Sequence, residues 1–387
     1  MRIAYISTLH SAPWGGSEEL WYQSTVEAIK LNHQLGVFIY DWPEEPKQVL
    51  KLREQGTKTF KRRRSFSIFK RIINKISNKI FKKDFLFLNS YKALIKFNPD
   101  IIIVTDGSTY YTANDHELSG LLLKKFKNKY VIISQSNTDY HLPQDRDQAI
   151  QLFENACSVF FVSENNRRLA FHQLAYHLTK TSVIQNPVLL NSFEQRPYHS
   201  IDNEIHCAVV GRFCIADKGQ DILIAMLADE NWKNSNIKLH LYGNGIDSEY
   251  LKKLISFYGV ADKVIIEGFV DNRNSIWDKC KCLLMCSHAE GTPLVLLEAM
   301  IAGRVCIVTN VGGNNEWIND GENGFLVSAP DKDLFASKLQ SALKRISEWE
   351  SIGKAAHLSA MKKIDTNPGK TLLNKIEEIV TKEFKLV

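Results

Sequence analysis

Two glutamates, Glu290 and Glu298, flank a segment built to open a helix. The stretch Ser287 to Arg304 reads S-H-A-E-G-T-P-L-V-L-L-E-A-M-I-A-G-R and lies between the apolar runs Cys282–Cys286 and Val305–Thr309. Thr292 is a good N-cap, Pro293 is tolerated at the first helical position, and Gly303 is placed to end the helix. The pattern predicts strand, loop, helix, strand, the unit of a parallel sheet. Gly291 lets a ligand come close to the backbone, and the amides of Leu294 and Val295 face an anion such as a diphosphate. A carboxylate beside such a site is unfavourable unless it accepts hydrogen bonds from hydroxyls, which sugar and ribose offer. The plainer alternative, in which Glu290 caps the loop and Glu298 is solvated, stays open on spacing alone.

Other predicted strand ends carry residues of the same kind. Gly211-Arg212-Phe213 follows the strand Ile205–Val210, and Asp217-Lys218-Gly219-Gln220-Asp221 comes next. Arg212 grips a phosphate with two parallel hydrogen bonds and Lys218 adds a mobile point charge. The alternative is two solvated loop charges. Tyr242-Gly243-Asn244-Gly245 ends the next strand, and Gly268-Phe269-Val270 the third, where backbone groups could pair with a base. Near the start, Trp14-Gly15-Gly16-Ser17 joins the strand Arg2–Ile6 to a helix expected over Glu18–Ile29, an anion cradle or a plain turn. It is not G-x-G-x-x-G, so the dinucleotide fingerprint is absent. Asp331-Lys332-Asp333 matches a metal-binding pattern, but it follows Pro330 at a helix start, where Asp acts as a cap.

The elements that must hold these residues form two series. At 387 residues the chain exceeds one ordinary core, and 44% hydrophobic with 24% charged residues is a globular composition. The first series has strands Val37–Tyr40, Ile101–Thr105, Tyr130–Ser134, Ser158–Val162 and Ser182–Gln185, and a polar linker spans Leu190–Asn203. The second has Ile237–Tyr242, Val264–Glu267 and Gly324–Val327 besides the strands above. Seven scattered cysteines (Cys157, Cys207, Cys214, Cys280, Cys282, Cys286, Cys306) are no disulfide framework and point to a reducing cytoplasm. Residues 51–83 hold thirteen basic residues against the single acid Glu54, more positive charge than the chain's net +6, so the remainder is acidic. Within it Phe69, Ile72, Ile73, Ile76 and Ile80 recur at helical spacing over Ser67–Lys83. That is a basic amphipathic helix suited to an anionic membrane surface or to packing with its lysines solvated; no nucleic-acid motif accompanies it.

The motifs G-R-F with K-G-Q-D, Y-G-N-G, E-G-F-V, E-G-T-P-L-V-L-L-E-A-M, V-G-G-N-N-E and N-G-F-L-V together resemble glycosyltransferase family 4, retaining enzymes of the GT-B type. The resemblance covers the second series nearly throughout. It is looser in the first: the G-G-S-E loop at Gly15, the strand spacing, and Ile184-Gln185-Asn186-Pro187. It implies an α/β GT-B fold, two Rossmann-like domains facing across a donor-binding cleft. Residues 1–190 would be the acceptor domain, with a C-terminal helix at about 366–387 crossing back onto it, and 191–365 the donor domain. It implies metal-independent, cofactor-free, retaining transfer of a sugar from a nucleotide-diphosphate sugar to a hydroxyl of a glycan or lipid-linked acceptor. The setting would be cell-surface polysaccharide or glycolipid synthesis in the cytoplasm, peripheral on the membrane through residues 51–83. By resemblance, Arg212 and Lys218 hold the diphosphate, Glu290 the donor sugar hydroxyls and Glu298 the ribose. Thr292, Pro293, Leu294 and Val295 give donor contacts, as do Gly243, Asn244, Phe269 and Val270, while Gly15 and Gly16 approach the phosphates. Many members carry a histidine after the strand matching Tyr130–Ser134. Here that place reads Gln135-Ser136-Asn137, with His141 further on. Asp106, Gln135, Asn137 and Asp139 are the acceptor-side candidates. A nucleotide-sugar epimerase, a phosphorylase, or a catalytically silent carbohydrate-binding homologue are the other readings of the same fold.

Overall fold

Apolar runs that serve two faces at once dictate the architecture. The computed structural model describes residues 1–10, 12–62, 91–198 and 204–384. The chain divides into two compact units, Met1–Pro187 with Asn367–Val387, and Val188–Thr366. In the first, β1 (Arg2–Ser7), β2 (Gln34–Tyr40), β3 (Lys58–Arg62), β4 (Ile101–Asp106), β5 (Tyr130–Ser134), β6 (Ser158–Phe161) and β7 (Thr181–Val183) form a parallel sheet in the order β3-β2-β1-β4-β5-β6-β7. Successive residues of β1 feed opposite cores: Ile3 and Tyr5 pack with Leu20, Trp21 and Ala28, whereas Ala4 and Ile6 pack with Leu118 and Leu122. A strand covered on both faces needs apolar residues at consecutive positions, which is why Ile101-Ile102-Ile103-Val104 is unbroken. The helix Pro368–Phe384 belongs to this unit, with Leu372, Leu373 and Ile376 in the core of Leu20 and Trp21.

The second unit repeats the plan with β8 (Ile205–Val210), β9 (Ile237–Tyr242), β10 (Val264–Gly268), β11 (Cys282–Met285), β12 (Val305–Thr309) and β13 (Phe325–Val327), ordered β10-β9-β8-β11-β12-β13. Cys282 and Leu284 face one core, Leu283 and Met285 the other. Cys207 and Cys282 are register partners with their sulfurs 3.1 Å apart, and burial pushes the Cys280 and Cys286 thiols up to about 12. In both units the winding reverses beside the first strand, between β1 and β4 and between β8 and β11. Loops leaving the carboxyl ends on either side of such a switch diverge, and open α/β sheets bind ligands in the crevice between them.

The basic run differs from expectation. Lys47–Glu54 is a helix, and Lys58–Arg62 pairs with β2 as an edge strand, Phe60 stacking on Phe38 at 4.5 Å. Lysines on such an edge blunt pairing with other chains and mask the strand's periodicity. Arg62 is no solvated charge: it is 4% exposed, donates to the Ser7 carbonyl (2.7 Å) and the Tyr91 hydroxyl (2.9 Å), and lies 4.7 Å from the Tyr40 ring centre. The amphipathic helix expected over 67–83 lies outside the described residues. Among the described residues no helix is long and apolar enough to cross a membrane.

Candidate functional site

The switch point of the second unit is held shut by glycines. Gly219 has φ +59°, and a Cβ there would stand 2.2 Å from the Cys286 carbonyl oxygen, so only glycine lets the turn Ile215–Lys218 end this close to β11. The amides of His288 and Ala289 then donate to the Asp217 carbonyl at 2.9 and 3.4 Å. Across this junction Lys218 Nζ donates to Glu290 Oε1 at 2.6 Å, and Ser287 Oγ donates to the same oxygen at 2.7 Å. Gly312, at φ +54°, seals the other side, where a Cβ would meet the Glu290 carbonyl oxygen at 2.1 Å. Glu290, 7% exposed, thus holds its own loop, the plainer expectation, and also sets a cation-paired carboxylate between the ends of β8 and β11.

Arg212 stands on the turn after β8, its Nη2 donating to Asp217 Oδ2 at 2.9 Å, while Gln220 Nε2 donates to its carbonyl at 2.9 Å. The neighbouring strand ends are joined through backbone. The Phe213 amide donates to the Asn244 carbonyl and the Gly243 amide to the Gly268 carbonyl, both at 2.8 Å. Gly243 and Asn244 therefore brace the Arg212 turn. Phe269 is 63% exposed beyond β10, and Val270 packs partly on the apolar core.

The helix after Glu290 spans Leu294–Ile301. Pro293, not Thr292, holds the N-cap position, and no side chain caps the helix. The expected cap at Thr292 is corrected because Pro293 has an extended ψ of 119°, which delays helical dihedrals by one residue. The amides of Leu294 and Val295 lie in the first turn, where no intrahelical carbonyl reaches them. Glu298 is fully buried, so the solvated alternative is excluded for it. Arg273 Nη1 lies 3.5 Å from its Oε2, and Oε1 has no hydrogen-bond partner. Burial pushes its carboxyl up to about 7, opposed by Arg273. A carboxyl near half protonation both donates to and accepts from hydroxyls.

A pH dependence follows. Burial also pushes Glu18 and Asp106 up to about 7. Between the unfolded carboxyl range near 4 and about 7, the folded chain keeps protons that the unfolded chain has released. Stability is therefore fully present below that window and falls as pH rises through it, by up to about 1.4 kcal/mol per pH unit for each group. Thermal unfolding followed from pH 5 to pH 8 is expected to show this fall, and Glu298→Gln to flatten the second unit's share. A melting temperature that rises over the same range refutes it.

In the first unit Gly15 is the N-cap and Gly16 the first residue of a helix running to Lys30, two residues earlier than expected and without a side-chain cap. Sequence reasoning passed over the acids of its first turn. Glu18 Oε2 accepts from Trp21 Nε1 (2.9 Å) and Glu19 Oε1 from Trp14 Nε1 (2.6 Å), both glutamates buried. Tryptophans on either side of the acids, Trp14 reaching forward to Glu19 and Trp21 back to Glu18, were the available signal. Asp106 is fully buried, accepting from Thr8 Oγ1 (3.0 Å), the Thr112 amide (3.1 Å) and Thr112 Oγ1 (2.5 Å), and so ties β4 to the loop after β1. Gln135 accepts from Asn186 Nδ2 at 2.7 Å, and Asn137 Nδ2 donates to Gln173 Oε1 at 3.0 Å. Asp139 is exposed. In the second unit Asp331 caps the helix Lys332–Leu343, accepting from the amides of Asp333 and Leu334. Among the described residues no group of three or more His, Cys, Asp or Glu is gathered as metal ligands.

Residues 192–358 match the family described as glycosyl transferases group 1. The GtfA subunit of the UDP-N-acetylglucosamine–peptide N-acetylglucosaminyltransferase of Streptococcus gordonii is 25% identical over 211 residues, 54% of this chain and 41% of that protein. The N-acetyl-alpha-D-glucosaminyl L-malate synthase of Bacillus anthracis is 33% identical over 122 residues, 32% of each chain. The matches thus span less than half the length of these relatives. The structure of Anabaena HepE in complex with UDP has a TM-score of 0.71 at 17% identity, covering 99% of this chain and 100% of that one. At that identity the likeness is one of fold, and the fold is GT-B, built of two Rossmann-like units.

Proposed function

We propose that this chain, whose residues 192–358 match the glycosyl transferases group 1 family, moves a sugar from a nucleotide-diphosphate sugar to a hydroxyl of a glycan or lipid-linked acceptor. The observation that carries this reading is the Lys218–Glu290 pair at the β8/β11 switch, beside an uncapped helix start and the buried Glu298. A diphosphate draws Lys218 and Arg212 onto its oxygens, with the amides of Leu294 and Val295 adding partial positive charge. Lys218 then leaves Glu290 available to accept from donor-sugar hydroxyls, and Glu298 exchanges hydrogen bonds with the ribose.

As the bond between sugar and phosphate breaks, charge builds on the departing nucleoside diphosphate, and these fixed donors stabilise it. The acceptor hydroxyl bonds to the anomeric carbon from the leaving-group face, and its proton passes to the departing phosphate, so configuration is retained. Cationic side chains supply the positive charge, and the Asp331 carboxylate is occupied as a helix cap, which supports a reaction without a divalent cation. The test is a thermal-shift and turnover screen of UDP-, GDP- and ADP-sugars in EDTA. One nucleotide is expected to raise the melting temperature, by about 2.7 kcal/mol of stability at a hundredfold excess over Kd, with turnover undiminished. Silence with every nucleotide defeats the proposal.

A further inference from the structure

One arginine of the second unit stands where its own helix disfavours it. Arg273 is the first residue of the helix Arg273–Lys279, after Asn272, whose side chain accepts from the Asn274 amide at 3.2 Å. The starting end of a helix carries partial positive charge, so a cation in the first turn is unfavourable unless something else holds it. The holder lies on the helix Leu294–Ile301. Ile276 and Trp277 share a core with Leu296, Leu297 and Met300, and this packing sets Arg273 Nη1 3.5 Å from Glu298 Oε2. The Glu298 side chain is 1% exposed and that of Arg273 27%.

A contact of 3.5 Å is long for a hydrogen bond, so the pair is held mainly by charge. Glu298 Oε1 has no partner at all, so both oxygens keep lone pairs for a ligand. Arg273 is the exposed member, so a ligand reaches Glu298 past the guanidinium, which can yield while its charge stays near. An ionised carboxylate only accepts, and its two oxygens together suit the two hydroxyls of a vicinal diol. Protonation turns one oxygen into a donor and gives up charge-assisted bonds, which are roughly twice as strong as neutral ones. Burial favours the protonated form of Glu298, and Arg273 opposes it. The other ionisable groups around these two helices are engaged elsewhere. Asp278 pairs with Arg196 and Lys279 with Glu267, His357 Nδ1 donates to the Ile301 carbonyl at 2.6 Å, and Arg304 is spent on the Trp277 and Pro197 carbonyls.

We propose that Arg273 is a positioning residue for the nucleotide, holding Glu298 as a carboxylate so that it accepts from both ribose hydroxyls. This rests on the transferase reading above and deepens it. The experiment is calorimetric titration of the full chain with UDP, GDP and ADP from pH 6 to pH 9, and with the 2′-deoxy form of the tightest binder. Wild type is expected to bind one diphosphate and to lose affinity as pH falls. Arg273→Met should move that loss upward by about one pH unit or more, weakening binding about tenfold at pH 6 and less than about threefold at pH 9. The ligand's own titration cancels in the ratio of variant to wild type. Arg273→Lys, which restores a cation, should recover most of the affinity at pH 6. The 2′-deoxy nucleotide, lacking one hydroxyl, should bind wild type more weakly and respond less to Arg273→Met. Arg273 is partly exposed and the hold of its helix comes from Ile276 and Trp277, so both variants should fold. A loss in Arg273→Met that is equal at every pH, or no loss at pH 6, overturns the positioning role alone. Failure of wild type to bind any of the three diphosphates overturns the transferase reading and this role with it.

Discussion

Alanine at Lys218 is expected to lower kcat/KM for the nucleotide sugar about a hundred- to a thousandfold, the loss that follows removal of one fixed donor to developing charge. Lys218 is three-quarters covered and reaches Glu290 at 2.6 Å, so its ammonium is already placed before a diphosphate arrives. The same substitution leaves Glu290, 7% exposed, with Ser287 as its remaining side-chain donor, so some stability goes with the activity. The two effects separate in the double variant Lys218→Ala, Glu290→Gln. Removing the unpaired charge should restore much of the melting temperature and none of the turnover. A single Lys218→Ala variant within threefold of wild type removes Lys218 from the phosphate site. Arg212 pairs with Asp217 on an exposed turn, so Arg212→Ala should affect folding much less.

Arg304→Ala is expected to be the most destabilising single change in the second unit. Its guanidinium is fully buried, donating from Nε to the Trp277 carbonyl at 2.8 Å and from Nη2 to the Pro197 carbonyl at 2.9 Å, with the Tyr198 ring 5.8 Å away. It fastens the polar connecting segment to the end of the helix Arg273–Lys279. Truncation strands two carbonyls and leaves a cavity, a loss of about 3–5 kcal/mol. For a unit of this size that lowers the melting temperature by about 10 °C. Calorimetry reads it directly, and a change below 2 °C means the connection is held by something else. Arg304→Lys should recover little, because one ammonium cannot span both carbonyls.

The second unit was legible because its signals agree. Each strand from β8 to β12 is an apolar run ending in glycine or a small polar residue, and the residue types at those ends point to one chemistry. The first unit was less so where polar side chains do structural work. The helices Arg146–Glu154 and Glu164–Leu174 went unread because their apolar stripes are thin. Their caps, Asp145 on the Gln148 amide and Ser163 on the Asn166 amide, were the visible cue. At the site, spacing left Glu298 undecided between ribose and solvent, since burial depends on how the helix Leu294–Ile301 rolls onto the sheet. The amide pair of Gln135 and Asn186 could not be foreseen, because it joins residues that only the order β5-β6-β7 brings together.

The return of the C-terminal helix has a consequence in the order of synthesis. Leu20, Trp21 and Ala28 leave the ribosome long before Leu372, Leu373, Ile376 and Val380, with which they share a core. The second unit, continuous from Val188 to Thr366, can close its core while the first still shows an apolar face. A nascent chain therefore waits for the helix Pro368–Phe384 before this core can close. A stop before Asn367 would leave every strand and every candidate site residue in the chain, yet withdraw four buried side chains from the first unit's core. Damage at that end would be felt in how much protein survives quality control, not in the chemistry the survivors perform.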